Sequence, residues 1–162
     1  MRALRLFSLV LIACTVVACG FQLRGAYDLP EHLSPLYLDK DSMSLLLYKE
    51  LRSTLKASGA ELTEDSTIAA SVLKVTQEQQ TRDVISVDTL GRAREYRLIY
   101  RLVFSVTASG EAVIDQSNIQ LTRNLLFNPE AVLGVAEETQ NIYRDMIRDS
   151  TGQILLRLQA LQ

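Results

Sequence analysis

One histidine, His32, is all the imidazole the 162 residues contain. That excludes a Ser-His-Asp set, a Cys-His pair and a two-histidine zinc helix. Cysteine is nearly as scarce: Cys14 and Cys19 both lie near the start, so the remaining chain has no thiol for a disulfide or a thiolate metal site. Glycine does not cluster into a phosphate-cradling loop, since Gly59, Gly91 and Gly110 stand singly between apolar stretches. No apolar run after Cys19 reaches the ~20 residues of a membrane helix. Charge of either sign is also without large excess: 17 Lys and Arg against 19 Asp and Glu give −2, which does not point to bulk binding of nucleic acid. Carboxylates are plentiful but fall at caps, turns and the polar face of the last helical segment, where solvated roles are usual; a non-enzymatic protein without a cofactor or metal is expected.

What is present begins at the N-terminus. Arg2 and Arg5 precede an apolar core from Leu6 to Ala13, and Val16-Val17-Ala18-Cys19-Gly20 closes it. Charged start, short apolar run and small residues before a cysteine are the order of a bacterial lipoprotein signal. The expected organisation is a signal over 1–18, a lipid-anchored tether over 19–35 that begins at an acylated Cys19, and one domain over 36–162. Cleavage would leave 162 − 18 = 144 residues, enough to bury a real core, with 15 basic against 19 acidic groups once Arg2 and Arg5 are gone. The acyl chains of such a cysteine hold a protein firmly on a membrane. Gly20, in place of an aspartate, points to the outer membrane.

Within the domain, Leu36-Tyr37-Leu38 reads as a short strand. Leu47, Leu51 and Leu55 recur at helical spacing behind Asp41 or Ser42 and ahead of Gly59, which predicts a helix over about 42–58. Ala60-Glu61-Leu62 follows as a short strand or an extended link. From Ile68 to Phe127 the period changes to two, with turn signals at Leu90-Gly91 and Ser109-Gly110, and a three-stranded antiparallel meander is expected. Its middle strand places Tyr96, Leu98, Tyr100, Leu102, Phe104 and Val106 on one face. The strand before it turns polar from Thr76 through Asp83, which predicts a bulge or bend there and a hairpin reaching past the helices. Asn128-Pro129-Glu130 is a strong helix start, and the last helix has its weakest point at Gly152, where a bend is expected. The fold class is α+β.

One cluster stands out from the mildly acidic background. Arg92, Arg94, Arg97 and Arg101 fall within ten residues, with Lys74 and Arg82 on the strand expected to pair with them, while Asp83 and Glu95 offset part of the charge. Guanidinium groups at this density suit bidentate contacts to phosphate. They equally suit a solvated strand face that resists edge-to-edge association.

Cys19-Gly20-Phe21-Gln22-Leu23-Arg24, Glu95-Tyr96-Arg97-Leu98, Asn128-Pro129, Arg144-Asp145-Met146 and Gln153-Ile154-Leu155-Leu156-Arg157-Leu158, in that order, resemble the LPS-assembly lipoprotein LptE family. The resemblance implies two helices packed on one face of a four-stranded, mostly antiparallel mixed sheet. It implies a lipid anchor on the periplasmic side of the outer membrane and a one-to-one complex with the LptD β-barrel, which the domain plugs and helps to assemble. The pair would deliver lipopolysaccharide to the outer leaflet. Family ligand contacts lie at the hairpin tip and near the start of the last helix. Here Gly134 and Val135 leave that helix start uncharged, so Arg82, Arg92, Arg94 and Arg97 are the candidates for lipopolysaccharide. A periplasmic carrier or chaperone for lipid or lipoprotein is the alternative.

Overall fold

A computed structural model describes residues 29–127 and 132–161. The elements are β1 (Leu36–Leu38), α1 (Leu45–Ala57), β2 (Leu62–Thr63), β3 (Ser71–Val87), β4 (Ala93–Ala108), β5 (Glu111–Leu126) and α2 (Val132–Gln159). The helix start expected at Asn128-Pro129-Glu130 lies outside the described residues, as do Cys19 and the signal.

The strands form one sheet of five, in the order β2-β1-β3-β4-β5. The four-stranded sheet is therefore corrected by one strand. β2 contributes only Leu62 and Thr63, held parallel to Leu36 and Tyr37, and the Leu36 N–H donates to Glu61 O at 2.9 Å. β1 also runs parallel to β3, whereas β3, β4 and β5 form the antiparallel meander.

Helix α1 starts about one turn later than expected, because Ser44 and not Asp41 or Ser42 is the cap: its hydroxyl accepts from Leu47 N at 3.2 Å. Gly59, at φ 80°, ends it in the left-handed region. Leu47, Leu51 and Leu55 are fully buried, each contributing about 1.5–3 kcal/mol by removal from water. Helix α2 buries Met146, Ile147, Ile154, Leu155 and Leu158 and is helical on both sides of Gly152. Its buried Ser150 and Thr151 donate to the Ile147 carbonyl at 2.7 and 3.1 Å, which leaves no orphaned hydroxyl in the core.

Leu33, one turn before β1, is fully buried in the same core, and Ser71 Oγ donates to its carbonyl at 2.5 Å. Residues 29–35, expected to belong to the extended tether, are thus docked on the domain; the apolar side chain at 33 is the reason.

The bulge foreseen in the polar stretch falls at Thr76. Val75 pairs with Phe104 but Gln77 with Val103, so one residue of β3 is extra. Before it, Ser71, Leu73 and Val75 face the helices. After it the parity inverts, and Glu78, Arg82 and Val84 share that face with Leu102, Leu98 and Tyr96. β3 has no buried residue after Val75, and β4 has none before Leu98. The far end of the hairpin therefore extends beyond the packed core.

Candidate functional site

The hairpin tip is built by Asp88. Its Oδ1 accepts from Leu90 N at 2.8 Å and Arg92 N at 2.9 Å, its backbone N–H donates to Arg92 O, and Gly91 takes φ 75° to close the turn. Asp88 Oδ2 also accepts from Arg92 Nε at 2.7 Å. The Arg92 backbone N–H first, then its guanidinium, hold the Asp88 carboxyl below the usual range. Arg92 is consequently half committed to its own turn.

The other basic candidates do not converge on one pocket. Arg97 and Arg101 lie on the sheet face away from the helices; Arg97 is in register with Asp83, and Arg101 donates to Gln120 Oε1 at 3.2 and 2.9 Å. Arg82 lies on the opposite face because of the Thr76 bulge, its guanidinium carbon 4.6 Å from the centre of the Tyr96 ring. Tyr96 in turn meets Phe127 edge-on, centroids 5.5 Å apart. Arg94 is exposed where a second irregularity interrupts the ladder near the turn, and Lys74 lies toward the other end of β3. Sequence proximity implied one patch, and the pleat distributes it around the tip.

Sequence reasoning passed over the apolar side chains among these cations. Val84, Val87 and Leu90 are 53–75% exposed, and Leu126, on the neighbouring strand, is 76% exposed. The first three lie in the hairpin expected to reach past the helices, and because the core ends at Val75 of β3, Val84 and Val87 are left exposed. Cations on several sides of exposed apolar groups can meet an amphiphile whose anionic head and apolar tail lie close together.

Other chemistry is sparse. Among the described residues no group of three His, Cys, Asp or Glu side chains gathers as a metal site. Asp65, the other displaced carboxyl, is lowered by the Thr67 hydroxyl and then the Thr67 N–H, both within one turn. No helix among the described residues is long and apolar enough to cross a membrane.

The family model described as "LptE: Lipopolysaccharide-assembly" matches residues 33–158. A protein of Pectobacterium atrosepticum named LPS-assembly lipoprotein LptE is 33% identical over 156 residues, covering 94% of this chain and 84% of that one. A protein of the same name from Yersinia enterocolitica is 26% identical, covering 97% and 76%. Among solved structures, an uncharacterized lipoprotein B of Nitrosomonas europaea superposes with a TM-score of 0.72 at 24% identity, over 87% of this chain and 91% of that one. The rare lipoprotein B of Shewanella oneidensis gives 0.67 at 24% identity, over 77% and 93%. These two share the fold.

Proposed function

The chain belongs to the LptE lipopolysaccharide-assembly family, and from that premise we propose that it is an outer-membrane lipoprotein, acylated at Cys19, that works without catalysis. In this reading it forms a one-to-one complex with the LptD β-barrel, plugs it and helps it assemble. The hairpin tip contacts lipopolysaccharide on its way to the outer leaflet. The observation that carries the ligand contact is the mixed surface of the tip, where Arg82, Arg92, Arg94 and Arg97 surround exposed Val84, Val87 and Leu90. Lipopolysaccharide offers phosphates and acyl chains together, and charge-assisted contacts to phosphate contribute about 1.5–3 kcal/mol each.

Co-purification from detergent-solubilised membranes tests the partner: a stable one-to-one complex with a large β-barrel is expected. Depletion should lower surface lipopolysaccharide and leave the barrel misassembled, and normal levels of both would remove the main claim. For the ligand, Arg94→Ala with Arg97→Ala leaves the Asp88 turn intact and should weaken lipopolysaccharide binding by at least tenfold. Unchanged affinity would return the arginines to a solvated strand face. A carrier or chaperone would need an apolar cavity for its cargo, yet the apolar face of the sheet is already filled by Leu47, Leu51, Leu55, Ile154 and Leu158. Cys19→Ala should abolish acylation; if that variant still fractionates with outer membranes, the barrel partner also holds it there.

A further inference from the structure

Among the described residues β5 is the outer strand on the long side of the sheet, and its outward edge carries a specific chemistry. The Phe127 N–H donates to Arg94 O at 2.8 Å, so odd-numbered residues of this strand direct their backbone groups to β4. Asn118, Gln120, Thr122, Asn124 and Leu126 then direct N–H and C=O outward. Two of those carbonyls are occupied by side chains: Arg157 Nη2 donates to Asn118 O at 3.0 Å, and Arg123 Nη1 to Thr122 O at 3.1 Å. The amides of Gln120, Thr122 and Asn124 face away from the sheet.

Beside this edge runs a groove of about 440 Å³ between β5 and α2. Arg148, Gly152 and Leu156 line it from the helix at i, i+4 and i+8, and Leu121 and Arg123 line it from the strand. A Cβ built on Gly152 meets nothing within 4 Å, and Leu156 is 48% exposed. Asp149, paired with Arg123 at 2.8 Å, and Gln153 complete the lining, so the apolar floor of Leu121 and Leu156 lies among polar groups next to an outward-facing backbone ladder.

We propose that this edge receives an extended segment of another protein, adding as a sixth strand along β5. An edge ladder selects extended backbone, and the alternating side chains of such a strand enter the adjoining groove. The segment has an apolar residue over Leu121, Gly152 and Leu156, with an acidic residue two positions away on either side. One carboxylate replaces Asp149 at Arg123 and the other replaces the Ser117 hydroxyl at Arg157, and both guanidinium groups then release the Thr122 and Asn118 carbonyls to the incoming N–H groups. The arginines thus act as latches that an acidic strand opens and a neutral one does not.

The test uses the full-length acylated protein in detergent and a fluorescein-labelled peptide, Thr-Glu-Thr-Val-Thr-Glu-Thr, beside its Gln-for-Glu counterpart. Saturable binding of the acidic peptide is expected, with slowed amide exchange at Gln120, Thr122 and Asn124, and at least tenfold weaker binding of the neutral one. Thr122→Pro removes an outward N–H and should cost a further tenfold. Gly152→Leu fills the groove from the helix while raising helix propensity, so it should lose binding with the fold intact. Absence of saturable binding, equal affinity for both peptides, or binding unchanged by both substitutions would overturn the proposal. A dimer that protects the same three amides without peptide would assign the edge to a second copy and overturn it equally.

Discussion

The hydroxyl of Tyr100 donates to the carboxylate of Glu78 across 3.0 Å, and the same carboxylate accepts from Ser44 Oγ at 2.8 Å and Ser44 N at 2.7 Å. One side chain of β3 therefore anchors a fully buried tyrosine and the first turn of α1. Glu78 can do so because Thr76 is bulged out of the ladder, which leaves Glu78 toward the helices.

Removing that carboxylate should be costly. Glu78→Ala leaves the Tyr100 hydroxyl without its acceptor and strips a charged partner from the start of α1, and hydrogen bonds to charged groups are worth about 1.5–3 kcal/mol. Urea unfolding should show a loss of about 2–3 kcal/mol, with Glu78→Gln in between. A loss below about 0.5 kcal/mol would mean that water replaces the contact.

Deletion of Thr76 should be tolerated. Val75 would still pair with Phe104, Gln77 with Val103 and Glu78 with Leu102, so the alternation runs unbroken and Glu78 and Arg82 keep the face toward the helices. A second residue inserted beside Thr76 has no such solution, since it must widen the bulge or turn Glu78 away from Tyr100. Near-ultraviolet circular dichroism should stay native for the deletion and change for the insertion, and a native spectrum with unchanged stability for both would show that the register past Val75 is not specified.

Alkaline pH should loosen the fold through Tyr100. Burial first, and the Glu78 charge second, raise its hydroxyl pKa far above the ordinary tyrosine value, and burial raises Tyr143 as well. A raised folded-state pKa means the native form holds the proton more tightly. The associated stability is complete below the unfolded value of ~10 and is lost as pH rises above it. Melting temperature should therefore fall from about pH 10 upward, and Tyr100→Phe should flatten that fall.

The packing of α1 makes a fourth, simpler case. Leu51 is fully buried at the centre of the helix stripe, so Leu51→Ala should cost about 2–5 kcal/mol in chemical denaturation. Arg123→Ala, which removes an ion pair with Asp149 at 2.8 Å between two side chains about half exposed, should cost less than about 1 kcal/mol. Comparable losses at the two sites would contradict the placement of the core.

The parts of the fold that could be read in advance are those with a long repeating period. Six residues from Tyr96 to Val106 announced β4, and three leucines announced α1. β2 is two residues long and has no period to detect, and Leu33 joins the core from a proline-flanked segment whose burial depends on contacts made by Ser71. The candidate site was legible as composition and not as arrangement. Counting arginines near Arg92 found the hairpin tip, but one extra residue at Thr76 decides that Arg82 and Arg97 point to opposite sides. The apolar members of the tip were visible as letters, and only the end of the core made them surface.

β1 has a mechanical meaning. The chain arriving from the N-terminus enters the domain through residues 29–35 and passes at once into a strand flanked on both sides, by β2 and by β3, in the same direction. Tension along that chain would load β1 lengthwise against both neighbours, so the Leu36 and Tyr37 pairings on either side and the Leu38 pairing with Leu73 must slip together and cannot open one after another. Leu33, Leu36 and Leu38 would have to leave the core in the same event. A domain held to a surface by its leading end thus takes the strain in shear, its strongest geometry, and the hairpin at the far end stays unloaded.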